Sequence, residues 1–126
     1  DAAALPGTSW KRVMRVVEAD LDFVGQQLQG PAFGDLRKVA NTAREAAEAM
    51  ASGYGPNEQR DIPDFAGMAR QTENWLRQIG LEAAQGHGDL ARNLYRQRDT
   101  AYCVRCHQIA EQHGRRFDFG DKKGGE

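Results

Sequence analysis

Hydrophobic side chains recur along this chain at intervals of three and four residues, the spacing that aligns them on one face of an α-helix. The first such run covers about residues 9–29 and is followed by Gly30 and Pro31, which end helices. Its apolar positions are Trp10, Val13, Met14, Val17, Leu21, Val24 and Leu28. The pattern therefore predicts an amphipathic first helix with one buried face.

Three more runs of the same kind follow, over about residues 34–52, 63–85 and 89–114, and Asp89 is the expected N-cap of the last one. Glycines and prolines separate the runs, and the alternating β-branched segments typical of strands are missing. Because no amphipathic helix can bury its apolar face alone, the four must pack together. The sequence predicts an all-α fold, an antiparallel four-helix bundle in a single domain over residues 1–126, with a three-helix bundle and a frayed segment as the alternative.

Composition excludes two classes of protein and adds one clue. The net charge of -1 gives no basic excess for binding nucleic acid, and no apolar run approaches the roughly 20 residues of a membrane span. Residues 115–126 are polar and glycine-rich, which predicts a loosely ordered tail. The only cysteines, Cys103 and Cys106, are so close that a disulfide between them would add little stability.

These cysteines belong to the sequence Cys103-Val104-Arg105-Cys106-His107, a C-x-x-C-H motif. On a helix, positions i, i+3 and i+4 share a face, so both sulfurs can meet the two vinyl groups on one edge of a haem. His107 then lies under the iron and offers a ring nitrogen as a ligand. The motif predicts one covalently attached haem c, held by Cys103 and Cys106.

Three other interpretations of the motif remain open. A thioredoxin-like C-x-x-C opens a helix after a strand, whereas this one lies late in an all-helical chain. A zinc site needs a fourth ligand and usually a second pair, and only the distant His87 and His113 are available. The motif can also occur by chance in a structural helix. Haem attachment accounts best for both spacing and position.

At this point the chain resembles the class II c-type cytochromes, the family that contains cytochrome c-prime and its low-spin relatives. The resemblance covers about residues 10–113. It is carried first by the haem motif on the last helix, and then by weaker matches at Gly25, Gly30, Phe33 and the run Gly88-Asp89-Leu90. One departure is Glu111, four residues after the histidine, where family members usually have a basic residue. A carboxylate near His107 could accept its other ring proton and lower the potential, or it could face water.

The resemblance implies that Met14, on the first helix, points at the haem face opposite His107. In low-spin members a methionine there binds the iron, whereas in cytochrome c-prime a bulky side chain covers an open iron site. Methionine is also a common core filler, so Met14 is a candidate ligand and a candidate core residue. The side chains expected to contact the haem are Trp10, Val13, Val17, Trp75 and Ile79.

The expected function is electron transfer by an iron with His107 and Met14 as axial ligands. If Met14 does not bind, the alternative is a five-coordinate haem that binds nitric oxide or carbon monoxide. Enzymatic activity is not expected, because the first helix has no distal His-Arg pair and no acid-base cluster is visible.

The resemblance also implies a periplasmic location after removal of a signal peptide, and redox proteins as partners. Family members often dimerise through the first two helices. Val16 and Phe23, which lie off the main apolar stripe, could contribute to such a homodimer.

Overall fold

The computed structural model describes residues 10–54, 64–103, 107–108 and 111. Its elements are α1 (Trp10–Gln27), α2 (Leu36–Tyr54), α3 (Phe65–Ala84), α4 (Gly88–Tyr95) and a π-helical turn (Arg98–Tyr102). These described parts contain no β-strand, so the predicted all-α class is confirmed and the arrangement is compatible with a helical bundle. None of the described helices combines the length and the apolar character needed to cross a membrane.

The connection between α1 and α2 ends one helix and begins the next. Leu28 N–H donates to the carbonyls of the last turn of α1, and Gly30 follows with a φ of 79°, which glycine adopts without strain. The Asp35 carboxylate accepts hydrogen bonds from the backbone N–H groups of Arg37 and Lys38 at 3.0 and 3.1 Å. Asp35 therefore caps α2 and fixes its first residue two positions after the predicted start.

The turn from α3 to α4 is a Schellman motif centred on Gly86, whose φ is 81°. His87 N–H donates to the Glu82 carbonyl, and Gly86 N–H donates to the Ala83 carbonyl, at 2.8 and 3.0 Å. The predicted cap Asp89 is wrong, because α4 already begins at Gly88 and its N-cap is His87. Asp89 instead lies in the first turn, where its negative charge interacts favourably with the helix dipole.

Helix α2 packs most extensively against α3 and next against α1. Its buried positions are mostly alanines, and Gly80 of α3 lies so close that an added Cβ would be 3.3 Å from the Ala40 carbonyl oxygen. Small side chains on both helices therefore allow their backbones to approach. The buried core is formed mainly by Val13, Val17, Leu21, Val24, Leu28, Val39, Ala43, Ala46, Ala47, Met50, Trp75, Leu76, Ile79, Ala83 and Ala91.

A pair of carboxyl groups links α1 to α2 at the edge of this core. Burial, and next the charge and hydrogen bond of Glu45, raise the pKa of Asp20 from 3.8 to about 7. The second oxygen of Asp20, Oδ2, is buried and has no hydrogen-bond partner among the described residues. The pair therefore shares a proton below neutral pH and carries a cost once Asp20 ionises.

The predicted continuous fourth helix over residues 89–114 is wrong. Helix α4 ends at Tyr95, a turn follows at Arg96 and Gln97, and the next residues form the π-turn. Within it the N–H of Cys103 donates to the carbonyl of Arg98, five residues back instead of four. No glycine or proline marks the interruption, so its cause lies in contacts with other helices.

Three contacts tie α4 and the π-turn to α1. Arg92 Nε donates to the Leu28 carbonyl at 2.8 Å, and Arg98 Nη1 donates to Asp22 Oδ1 at 3.1 Å. Between them, the ring of Tyr95 covers Gly25 so closely that a Cβ there would overlap it. Each contact along this segment is three residues later than the one before it, and its partner is three residues earlier in the chain.

The contact between Gly25 and Tyr95 predicts that Gly25→Ala changes the free energy of unfolding in opposite directions with and without the Tyr95 ring. Gly25→Ala should lower the free energy of unfolding by about 1–3 kcal/mol, because the new Cβ overlaps the tyrosine ring. In a Tyr95→Ala background the same change should raise it by roughly 0.5–1 kcal/mol, because alanine favours the helix more than glycine does. Urea denaturation of the four variants measures both values, and equal signs would contradict this contact.

The Asp20 carboxyl predicts a stability that falls as pH rises. Because the folded-state pKa of about 7 exceeds the unfolded value of 3.8, the favourable contribution is complete below the lower value and is lost as pH rises through the upper one. Asp20→Asn should therefore stabilise the protein by about 1 kcal/mol at about pH 8 and much less at about pH 4, the full shift being discounted for solvent screening.

The control for Asp20→Asn is Glu48→Gln, which removes an exposed carboxylate from α2. Chemical denaturation at the two pH values gives the comparison. An equal effect of Asp20→Asn at both would show that ionisation of this carboxyl carries no cost.

Candidate cofactor site

The described members of the C-x-x-C-H motif, Cys103 and His107, are both helical and both partly buried. They are four residues apart, so they lie on one face of the helix. Cys103 packs against the core, directly after the π-turn. Cys106, the other predicted attachment residue, lies outside the described residues.

Burial fixes the charge state of the His107 ring. Its Nδ1 atom is buried from solvent, and burial lowers the pKa of the imidazole from 6.5 to about 4. The ring is therefore neutral near pH 7, which is the form that donates a nitrogen lone pair to a metal ion. Its neutrality does not depend on any metal, because desolvation of the cation is sufficient.

A stack of two aromatic rings positions the start of the motif. The rings of Trp75 and Tyr102 lie 4.6 Å apart between centroids and only 11° from parallel. Trp75 also donates its Nε1–H to the carbonyl of Leu94 at 2.8 Å. One side chain of α3 therefore holds both α4 and the residue that precedes Cys103.

Tyr102 was not among the predicted site residues. Its place directly before Cys103 was a signal, but the helical pattern alone did not indicate that it contacts Trp75.

Four of the other predicted site residues lie on α1. Val13 and Val17 are buried in the core, whereas Met14 and Trp10 are partly exposed and pack against its margin. The Trp10 ring meets Phe65 of α3 edge-on, with centroids 5.1 Å apart at an angle of 74°. The apolar stripe of the third helix predicted Phe65 as an inward-facing residue, but Phe65 was not among the predicted haem contacts.

The predicted residues divide into two sets by exposure. Val13, Val17, Trp75 and Ile79 expose 0, 4, 3 and 0% of their surface, so each is enclosed by protein atoms. The side chains that carry reactive or ligating atoms, Met14, Cys103 and His107, remain partly accessible, and Met14 and Cys103 pack against the core. A thiol, an imidazole and a thioether are side chains whose chemistry suits a covalently held haem.

Arg98 brings a positive charge to the start of this site. Burial lowers its pKa, but hydrogen bonds and charge interactions with Tyr95, Asp22 and Cys103 outweigh burial and raise it overall. The guanidinium also lies 6.0 Å from the centroid of the Tyr95 ring. Arg98 therefore joins α1, the end of α4 and Cys103 through one cation.

An open groove lies elsewhere, on the part of the chain that the structure describes. It has a volume of about 690 Å³ and runs between α1 and α4, next to Gly30, Arg92 and Arg96. None of the predicted site residues lines it. The groove has a mixed polar and apolar lining, and it is separate from the residues predicted to hold a haem.

Several sequence candidates lie apart from the site. His87 is exposed and contacts Glu82 Oε1 at 2.8 Å, as expected for a loop histidine, and this hydrogen bond lowers the pKa of Glu82. Glu111 is exposed. His113 lies outside the described residues, and so does the tail from 115 to 126. Within the described part of the chain, no three acidic, histidine or cysteine side chains converge as a metal cluster.

Comparisons with protein-family models, with curated proteins and with solved structures found no match. What the site does must therefore be inferred from its own residues. The strongest chemical constraint is the neutral, partly buried imidazole of His107 on the same helix face as Cys103.

Proposed function

We propose that this chain is a mono-haem c-type cytochrome that transfers electrons in the periplasm. Cys103 and Cys106 hold the haem covalently and His107 is an axial ligand of its iron. The observation that carries the proposal is the neutral, partly buried imidazole of His107 on the same helix face as Cys103. A solvated surface histidine would not have its pKa lowered to about 4.

The proposed arrangement is an antiparallel four-helix bundle with the haem on its last helix. The contacts Arg92–Leu28, Tyr95–Gly25 and Arg98–Asp22 support it, since the two segments run past each other in opposite directions. Parallel helices would give partner numbers that rise together. The edge-on contact of Trp10 with Phe65 supports the same arrangement, because it brings together the starts of α1 and α3.

The position of Met14 along the axis of α1 supports its role as the second axial ligand. Met14 lies eleven residues before Gly25, about 16 Å or three helical turns along α1. His107 lies a similar distance beyond Tyr95, the residue that contacts Gly25. In antiparallel helices these two residues come to a similar level, and the three full turns between Gly25 and Met14 return Met14 to the contacting face.

The protein's residues have distinct tasks in this proposal. A bound haem supplies an iron that alternates between two oxidation states. His107 offers a neutral nitrogen over the whole range above about pH 4, so no proton has to leave it first. Val13, Val17, Trp75 and Ile79 give an apolar boundary that excludes water, and Trp10 covers its margin. No proton-transfer pair is needed, so the proposed role is that of a carrier rather than an enzyme.

A second candidate function is binding of nitric oxide or carbon monoxide. It is favoured by the partial exposure of Met14 and by its neighbours Val13 and Val17, which offer no hydrogen-bond donor. An apolar distal side disfavours oxygen relative to these gases. The two functions differ in whether the sulfur of Met14 binds the iron.

Proposed partners are redox proteins and a second copy of this chain. Val16 packs partly against the core and Phe23 is partly exposed, so both retain surface on the outer side of α1. Two such side chains are a small apolar area, and they suit a weak dimer.

Covalent attachment predicts a mass that survives extraction. After export to a periplasm that can attach haem and after treatment with acid and acetone, the intact protein should retain the mass of one haem. Cys103→Ala/Cys106→Ala should show the mass of the polypeptide alone, since neither thioether can form. A bare polypeptide mass for the unaltered chain would refute the proposed function.

Ligation by Met14 predicts a low-spin ferric spectrum with a weak sulfur-to-iron band in the far red. Met14→Ala should convert the iron to high spin and speed the binding of carbon monoxide, because no sulfur has to leave first. Met68→Leu is the matched control, since Met68 is another partly buried methionine, on α3. It should leave both measurements unchanged.

Unaltered protein that is already high-spin and binds nitric oxide rapidly would contradict ligation by Met14. The gas-binding function would then be supported, and Met14→Leu should change little.

A further inference from the structure

The open groove lies between α4 and the last turns of α1 with the connection that follows them. Its volume of about 690 Å³ is within the range of about 300–1,000 Å³ that small-molecule sites occupy. We propose that this groove binds a small organic dianion, a dicarboxylate, through the guanidinium groups of Arg92 and Arg96. The residues proposed to hold the haem do not line the groove, so this site is a second one and does not depend on the haem function.

The groove has an excess of positive charge. The charged side chains among its lining residues are Asp22, Arg92 and Arg96. Asp22 Oδ1 accepts a hydrogen bond from Arg98 Nη1 at 3.1 Å, so an arginine outside the lining already compensates the charge of Asp22. Within the residues that the structure describes, neither Arg92 nor Arg96 forms an ion pair. Two positive charges are therefore left for a ligand, and a dianion is the ligand that balances them.

The guanidinium of Arg92 is held in place by partners that do not neutralise it. Its Nε donates to the Leu28 carbonyl at 2.8 Å, its Nη2 donates to the Gly30 carbonyl, and its central carbon lies 4.4 Å from the centroid of the Phe33 ring. Carbonyl groups and an aromatic face orient a cation but carry no net charge. The two carbonyls use only part of the N–H donors of a guanidinium, and a cation fixed in this way binds an anion with little further loss of side-chain entropy.

Arg96 brings the second cation to the same side of α4. Its backbone N–H donates to the Arg92 carbonyl at 3.0 Å, four residues back, so Arg96 continues the helical register and its side chain neighbours that of Arg92. The side chain of Arg96 is exposed and makes no hydrogen bond to any residue that the structure describes. Because a planar guanidinium matches a carboxylate through two parallel hydrogen bonds, Arg96 is suited to bind one end of a dicarboxylate.

The uncharged part of the lining fits the body of an organic acid. Pro31 and Tyr95 bring carbon atoms to the groove, and Gln26 and Gln29 bring neutral amides that can donate or accept hydrogen bonds. A dicarboxylate has a hydrocarbon part that contacts the first pair and oxygens that reach the second. An inorganic anion such as phosphate would use the arginines alone, so the mixed lining favours the organic ligand.

The first experiment titrates succinate into the full chain as purified, by calorimetry and by thermal unfolding. Succinate should raise the thermal midpoint progressively with its concentration, because a ligand that binds only the folded state stabilises it. The shift should exceed that of sodium chloride at the same ionic strength, which reports general screening. Succinamide, the uncharged diamide of the same length, should give no shift, and inorganic phosphate should bind at least about threefold more weakly than succinate.

The second experiment compares matched variants of exposed residues, whose folding is recorded by circular dichroism. Arg96→Gln should weaken succinate binding by about tenfold or more, because a paired guanidinium is lost. Arg37→Gln removes an exposed arginine of α2 that does not line the groove, and it should weaken binding less than about twofold. Gln26→Glu adds a negative charge to the lining and should weaken binding about fivefold, whereas Gln85→Glu, outside the lining, should not.

Three results would overturn the proposal. A thermal shift with succinate no larger than that with sodium chloride would show that the groove binds no dicarboxylate. Equal losses in Arg96→Gln and Arg37→Gln would show that the net charge of the protein, and not the groove, governs binding. Phosphate that binds as tightly as succinate would show that the uncharged lining contributes nothing to the choice of ligand.

The outcome for the groove is separate from the outcome for the haem. Succinate binding to a chain that retains no haem after extraction would support the groove and refute the proposed function. A chain that retains haem but does not bind succinate would give the opposite result.

Discussion

The side chain of Trp75 connects the two halves of the C-terminal segment. Its indole N–H bonds to the carbonyl of Leu94, at the end of α4, and its ring stacks on Tyr102 after the interruption. Both contacts come from one residue with 3% of its surface exposed. Because the rest of α3 is fixed against α2, Trp75 gives Cys103 and His107 a defined place relative to the core.

Much of the fold could be predicted because periodicity and helix-ending residues are local signals. The bounds of α1, α2 and α3 lie within two residues of the prediction. The π-turn could not be predicted, since Arg98 to Tyr102 contains no glycine or proline and is held by residues far away in sequence. The pairing of Asp20 with Glu45 was missed for the same reason.

The sequence predicted the candidate site less completely than it predicted the helices. Motif spacing indicated Cys103 and His107 directly, and both are partly buried on one helical face. The apolar stripes identified Val13, Val17 and Ile79 as buried residues, but a stripe gives the same signal for core packing and for contact with a cofactor. The neutral state of His107 depends on three-dimensional burial, which no local pattern contains. Its folded-state pKa of about 4 is below the unfolded value of 6.5, so protonation of the unfolded chain reduces stability as pH falls from 6.5 towards 4.

The alanines of α2 and Gly80 of α3 allow these two helices to approach closely near one end of α3. Where Gly80 meets Ala40 the two backbones nearly touch, whereas Trp10 and Phe65 occupy the far end with two aromatic rings. These ends are separated by fifteen residues of α3, about 22 Å. Substitutions so far apart combine independently in their effect on stability. The close approach at Gly80 can therefore be kept while side chains around Trp10 and Phe65 are exchanged, so the two ends of α3 can be altered separately.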